Sequence, residues 1–396
     1  MARLFNPSRL FSRPAPRRRQ FTSDCPVAAV ESLEERTMLS GISLATGGLT
    51  SRTTVRTPVV APTPAASTIS LDGNRNLTFR GTNSADKMYL FYTNTSKTVV
   101  GAQISTNGTV TNTKYFLASD VNYVTFYALG GNDFVSNTTV KGDYLDGGQG
   151  DDRLLAGHRQ SHVYGGDGND VMQGSNGNDI MHGMRGNDTV MGGKGNDRLY
   201  GGSGNDQVHG QEGSNLLFGN AGRDVIGGGN GNDHIYGGDD FDQLYGHGGD
   251  DWIYGQGGSD RIFGGDGNDR LHGGDGGDFL AGEAGVDQML GGTGDDNLTG
   301  GDDNDYLMGE SGNDYVSGGD GRDYLWGQDG NDYLWGGNGD DYFLGGDGND
   351  QIHGQSGHDT LNGGYGNDAL DGGSGYDYGW PGPGDDTWRF IEDLDL

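Results

Sequence analysis

The sequence predicts an all-β fold of stacked coils in which two parallel sheets face one another, and three observations predict it. From Gly147 to Arg389 the chain divides into 27 consecutive nonapeptides with no residue added or removed. Position 6 of these units is Asp except at Ser161 and Asn215, and position 1 is Gly except at Ala156 and Pro381. Position 8 is apolar in every unit except the one carrying Gly379. A short fixed period of this kind marks stacked turns, each too small to bury its apolar face alone.

Each position has a physical reason. Gly-Gly-x-Gly-x-Asp reads as a turn, because neighbouring glycines reach backbone conformations of positive φ that a side chain disfavours. The closing x-U-x reads as a three-residue strand, with position 8 pointing one way and positions 7 and 9 the other. Residues such as Leu154, Val163, Met172 and Met181 then supply one inward side chain per unit. Short strands joined by turns suit a coil made of two units, with each unit stacked on the one 18 residues later.

Stacking sets the position-6 aspartates in a column along each edge, one strand spacing of ~4.8 Å apart. Carboxylates that close repel unless a cation lies between them. Calcium fits this need, since it takes six to eight oxygens from carboxylates and carbonyls, and glycine-rich turns expose carbonyls freely. The 27 turns split 14 and 13 between the two edges, so about 25 inter-turn gaps are available at most.

These units resemble the repeats-in-toxin (RTX) nonapeptide G-G-x-G-x-D-x-U-x over 243 of the 396 residues, a highly specific likeness at this copy number. The resemblance implies a right-handed parallel β-roll with calcium between successive turns, in a protein exported from a bacterium. The family's metal-ligand aspartate maps onto Asp152, Asp170, Asp179, Asp188, Asp197, Asp206, Asp224, Asp233, Asp242, Asp251, Asp260, Asp269 and Asp278. It maps equally onto Asp287, Asp296, Asp305, Asp314, Asp323, Asp332, Asp341, Asp350, Asp359, Asp368, Asp377 and Asp386. It does not map onto Ser161 or Asn215, which should weaken the gaps beside them. Glycine-rich repeats lose much backbone entropy on ordering, so metal binding is expected to drive folding, after export and in the ~10⁻⁴ to 10⁻³ M range of extracellular calcium modules.

Charge agrees with such a setting. The net charge of −32 argues against nucleic acid, which calls for a basic surface. Cys25 is the only cysteine, so no intramolecular disulfide forms, and no stretch reaches the ~20 apolar residues of a spanning helix.

Before the repeats, residues 1–41 form a basic tail with the run Arg17-Arg18-Arg19. Arg18-Arg19-Gln20-Phe21 echoes a twin-arginine export signal without the apolar region that follows in one. Leu33, Glu34, Arg36, Leu39 and Ser40 resemble the LEPR-XLL sorting element of large bacterial surface proteins, with Glu35 in place of its proline. Residues 42–66 read as a Thr/Pro/Ala-rich linker. Residues 67–146 carry short β-type runs such as KMYLFY and VNYVTFYAL, an Asn107-Gly108 hairpin signal, and a partial repeat at Leu129–Val135. This region is expected to be a β-rich capping domain, because a solenoid needs its open ends covered.

At the far end, Pro381 and Pro383 cannot donate to a ladder, and Trp380, Trp388 and Phe390 are expected to cover the last coil. The tail 390–396 is a terminal cap or resembles a type I secretion signal.

Outward positions report on contacts. Tyr306, Tyr324 and Tyr342 with Trp326 fall on one sheet, and Tyr315 and Tyr333 with Trp335 on the other. Position 9 of alternate units reads Tyr164, His182, Tyr200, Phe218, Tyr236, Tyr254 and His272, which should stack in one column. Such strips stiffen a flat sheet or bind polysaccharide or another copy of the chain. The position-9 histidines His182, His209, His272 and His353 are not stacking neighbours, so they give no zinc site. No metalloprotease, serine hydrolase or P-loop signature occurs. The expected protein is therefore a non-enzymatic, secreted or cell-surface calcium-binding structural protein of adhesion, matrix or surface-layer assembly. The alternative is a secretion-and-folding module carrying a carbohydrate-binding or enzymatic 67–146 domain.

Overall fold

The computed structural model describes residues 66–391 and the backbone of Asp393–Leu394, all within the unit Pro62–Leu396. The basic tail, its sorting-like element and nearly all of the linker lie outside the described residues. The first strands are β1 (Thr68–Leu71), β2 (Asn76–Arg80), β3 (Asp86–Tyr92), β4 (Val99–Thr106), β5 (Thr109–Leu117), β6 (Tyr123–Tyr127), β7 (Phe134–Asn137), β8 (Asp143–Gln149) and β9 (Arg153–Leu155). Among the described residues the only helical turn is the 3₁₀ segment Ala118–Asp120.

The repeats build a parallel β-roll of about 15 turns. Up to the strand Ala369–Asp371, each unit pairs with the unit 18 residues on, as in Met181↔Leu199 on one sheet and Val190↔Val208 on the other. The position-8 side chains from Leu154 to Leu370 are buried between the sheets as one continuous core.

Strands are longer than the three residues the pattern suggests. Most run for six, from position 7 through position 3 of the next unit, as in Arg198–Ser203, so that only positions 4 to 6 form the connection. The reason is the stacking period: identical positions lie opposite one another, and backbone pairing persists through Gly202 and Ser203 although their side chains are minimal.

Glycine answers two separate demands. Positions 2 and 4 carry positive φ, as at Gly166 (124°) and Gly168 (140°), and non-glycine residues such as Gln211 (79°) take that conformation at some cost. Position 1 has no such φ. At Gly237 a Cβ would stand 2.5 Å from Asp242 Oδ2 and 2.8 Å from the Gly255 carbonyl, so the side chain is excluded for space.

Both sheets begin before the repeats. Strand β2 pairs in parallel with β6, and β6 with β8, while β3 pairs with β7 and β7 with β9. Antiparallel strands flank this start, β1 on β2 and the β3–β4–β5 meander on the opposite sheet. Phe79 and Phe126 stack at 4.3 Å inside the first coils. At the other end Trp380, Trp388 and Phe390 are 40%, 46% and 61% exposed rather than folded over the last coil. The final pairing is instead Asp393–Leu394 beside Tyr378 and Gly379, with Ile391 packed on the core.

Gly237→Ala should destabilise the calcium-loaded roll by about 1–3 kcal/mol through overpacking, whereas Gly248→Ala, with nothing within 4 Å of the added carbon, should change stability by less than about 0.5 kcal/mol. Denaturant unfolding at fixed calcium checks the difference; equal effects would contradict the spatial reading of position 1.

Candidate metal centre

Each connection places its position-6 carboxyl inward, where two unlike oxygens meet unlike surroundings. Oδ1 accepts the backbone N–H of the position-6 residue one coil earlier: Asp152 donates to Asp170 at 2.7 Å, Asp170 to Asp188, and so on to Asp368 and Asp386 at 2.9 Å. A second column runs from Ser161 to Asp179 and onward to Asp359 and Asp377. From Asp188 to Asp368, every aspartate in the two columns has an Oδ2 that is buried without a hydrogen-bond partner. The side chains themselves are at most 3% exposed across this span. Beside most of these oxygens stand the bare position-1 glycine of the same unit and the position-1 carbonyl of the next coil, as at Gly237, Asp242 and Gly255.

The interruptions show what a self-sufficient turn looks like. Asn215 accepts the Asp197 N–H at 3.0 Å, and its Nδ2 donates to Gly213 O at 3.1 Å. The Ser161 hydroxyl donates to Arg159 O at 2.9 Å. Neither side chain leaves an orphaned atom, so neither asks for a cation.

A sequence-family model, the RTX calcium-binding nonapeptide repeat, matches residues 141–157 and, in overlapping copies, 164–387. The chain belongs to this RTX family. It is thus a calcium-binding repeat protein, and no curated protein matches it.

The residues present fit the metal that the family binds. Calcium prefers carboxylate and carbonyl oxygen, and the atoms that converge at each gap are of those two kinds. Among the described residues no three carboxylate, imidazole or thiol groups cluster at one point. That agrees with a donor set shared between side chains and backbone. Burial pushes the Asp242 carboxyl up to about 8, aided by Asp224, Asp260 and Asp240, against the opposing Asp224 N–H bond. Asp251 and Asp305 rise to about 8 for the same first cause, and Asp206 and Asp260 to about 6. Position 5 behaves oppositely. The exposed carboxyls of Asp250, Asp295 and Asp340 are held below the ordinary value, chiefly by the N–H groups of Asn268, Asn313 and His358. Adjacent residues of one turn therefore differ in need: position 6 lacks a positive partner and position 5 does not.

Three members of the columns lie outside the nonapeptide frame. Asp133 accepts the Asp86 N–H at 2.5 Å and donates its own to Asp152 at 2.7 Å. Its Oδ2 is orphaned, and burial raises it to about 8. Asp86 closes the column with protein donors, its Oδ2 accepting the Thr82 N–H at 2.6 Å and hydroxyl at 3.0 Å. On the other edge, Asp143 Oδ2 accepts Asn137 Nδ2 at 2.8 Å and the Gly157 N–H at 2.9 Å. The Gly130-Gly131-Asn132-Asp133 fragment was the visible signal for Asp133, but its 19-residue step to Asp152 breaks the period.

The outward aromatics sort into two groups. The position-9 rings from Tyr164 to Tyr254 stack in one column, and Tyr306, Tyr324 and Tyr342 stack at 5.0 and 5.3 Å. Tyr315 and Tyr333 lie opposite one another on the second sheet, and there Trp335 stacks on His353 at 4.6 Å.

Because burial raises the position-6 carboxyls above the ordinary 3.8, the metal-free fold is stabilised below that value, and this contribution is lost as pH climbs through about 6 to 8. Far-UV circular dichroism of calcium-free protein from pH 3 to 9 should therefore show β-structure at the acid end and its loss above pH 6. More β-structure at pH 8 than at pH 4 would contradict the assignment of these groups as uncompensated acids.

Proposed function

We propose that the protein is an exported structural roll that folds on calcium outside the cell and serves in adhesion, matrix or surface-layer assembly. One observation carries this reading: two columns of buried carboxylates in which every aspartate from Asp188 to Asp368 has one oxygen without a hydrogen-bond partner. The ligands are the position-6 aspartates from Asp152 to Asp386, with Asp133 added at the N-terminal end. A metal-free roll at neutral pH would hold these charges uncompensated in a low-dielectric interior, a cost of several kcal/mol for each isolated ion. A calcium-poor cytoplasm leaves the chain unfolded and fit for export, and the calcium-rich exterior orders it.

The other features fit a framework rather than a catalyst. The RTX roll is typically structural. Strands β1 to β7 are hydrogen-bonded into the two sheets of the roll, which supports reading residues 67–146 as its N-terminal cap. Tyr306, Tyr324, Tyr342 and Trp326 on one face, with Tyr315, Tyr333 and Trp335 on the other, are the contact surfaces of this proposal. Tyr306, Tyr315, Tyr333 and Tyr342 are all more than 40% exposed, far above the level of core rings such as Phe79.

Cell fractionation with surface proteolysis tests the proposal. The chain should be found in the medium or on the cell surface, resistant to protease in millimolar calcium and digested within the 147–389 tract once a chelator is added. A cytoplasmic location, or equal resistance in chelator, would overturn it.

A further inference from the structure

The face built on β2, β6 and β8 carries a ladder of rings with a gap in it. From Tyr164 through His182, Tyr200, Phe218 and Tyr236 to Tyr254 the centroids are 4.4 to 5.1 Å apart and the planes within 9° of parallel. In such a stack each ring covers its neighbours' faces, and solvent meets edges alone. This stretch offers nothing flat to bind. The ladder ends at His272, which stands 6.0 Å from Tyr254 and turned by 89°. The next two coils put Leu290 and Met308 at the same position. Aromatic stacking resumes at position 7, where Tyr306 lies on Tyr324 at 5.0 Å, with Trp326 6.0 Å from Tyr324.

Between the two stacks lies a hollow of about 450 Å³, walled by Tyr254, His272, Tyr306 and Trp326 and floored by Leu290 and Met308. Its size falls within the range of small-molecule sites, and its mix of apolar walls and a few polar groups is typical of them. Arg270 and Gln288, with the buried Leu271 and Met289, complete the lining, and the Arg270 guanidinium lies 4.9 Å over the Trp252 ring.

We propose that this hollow binds a neutral glycan, with a pyranose ring seated where the ladder lacks its rungs. A pyranose has an apolar C–H face and a rim of hydroxyls. The ring and thioether walls match the face. The planar donors and acceptors of Arg270, Gln288 and His272 match the rim. An anionic sugar would find a single arginine or lysine in the lining, Arg270, whose guanidinium also lies over the Trp252 ring. A cation is disfavoured because no carboxylate lines the hollow. The repeat of an extended hexopyranose chain is close to the ~4.8 Å strand spacing, so successive sugars would meet successive coils. This inference rests on the proposed role of the aromatic face as an extracellular contact.

The test uses the full calcium-loaded chain, titrated with neutral hexasaccharides of β-1,4-glucose, α-1,4-glucose and β-1,4-N-acetylglucosamine and read by calorimetry and tryptophan fluorescence. At least one should bind. Trp326→Ala and Tyr306→Ala should each weaken it by about tenfold or more, as loss of a central aromatic anchor does. Phe263→Ala, on the opposite sheet against Tyr245, should leave affinity unchanged. If Trp326→Ala loses its calcium-dependent circular dichroism, Leu290→Trp takes its place, since it fills a half-exposed position in the hollow and must abolish binding. Failure of all three sugars to bind a folded chain at millimolar concentration overturns the inference while leaving calcium-coupled folding intact. Equal loss in Phe263→Ala overturns it too. So does a concentration-dependent dimer that Trp326→Ala removes, because the occupant would then be a second copy.

Discussion

A column of carboxylates buried one strand spacing apart is the constraint on which the rest of this molecule depends. The backbone answers half of it, since each Oδ1 receives an N–H from the coil before, as Asp170 does from Asp152. The other half is left open from Asp188 to Asp368 at Oδ2. Burying such charge without a partner is prohibitive, and groups in this position either stay protonated or find a cation. At neutral pH with calcium present the cation is the available answer, and on the proposed reading the roll folds only with it.

Much of the local design follows from serving that column. Position 1 is bare so that two oxygens can converge beside it, and positions 2 and 4 are mostly glycine so that the chain can turn tightly enough to bring them there. Position 8 supplies only a thin apolar layer, with one side chain per nine residues. Such a layer would not order a glycine-rich chain by itself. Position 5 adds an exposed ladder, for example Asn205 N–H to Asn187 Oδ1 at 2.7 Å, running in the opposite sense to the position-6 bonds. One edge of each coil is thus tied in both directions along the axis.

The parts legible in the sequence were those that repeat with the coil. A period of nine fixed the stacking of each unit on its second neighbour, the inward position 8, and the column from Tyr164 to Tyr254. What escaped the pattern did so because the frame slips. Asp133 lies 19 residues before Asp152, and Asp86 lies 47 before Asp133 because the β4–β5 hairpin intervenes. The six-residue strands were hidden because Gly-Gly-x has turn composition, while its pairing comes from stacking alone. Nor could composition separate Trp326, in the hollow, from Trp335, which stacks on His353 across the roll. Two tryptophans in the same register position owe that difference to their neighbours one coil away.

The central claim is that these columns hold together only around calcium, and it is tested most directly by titrating calcium into chelated 147–396 while recording far-UV circular dichroism at neutral pH, with magnesium as the control. The account predicts a cooperative passage from coil to β-structure with calcium and little response to magnesium, whose preference for retaining water suits it poorly to a carbonyl-lined gap. A spectrum already rich in β-structure in chelator at neutral pH, or one that calcium leaves unmoved, would contradict it.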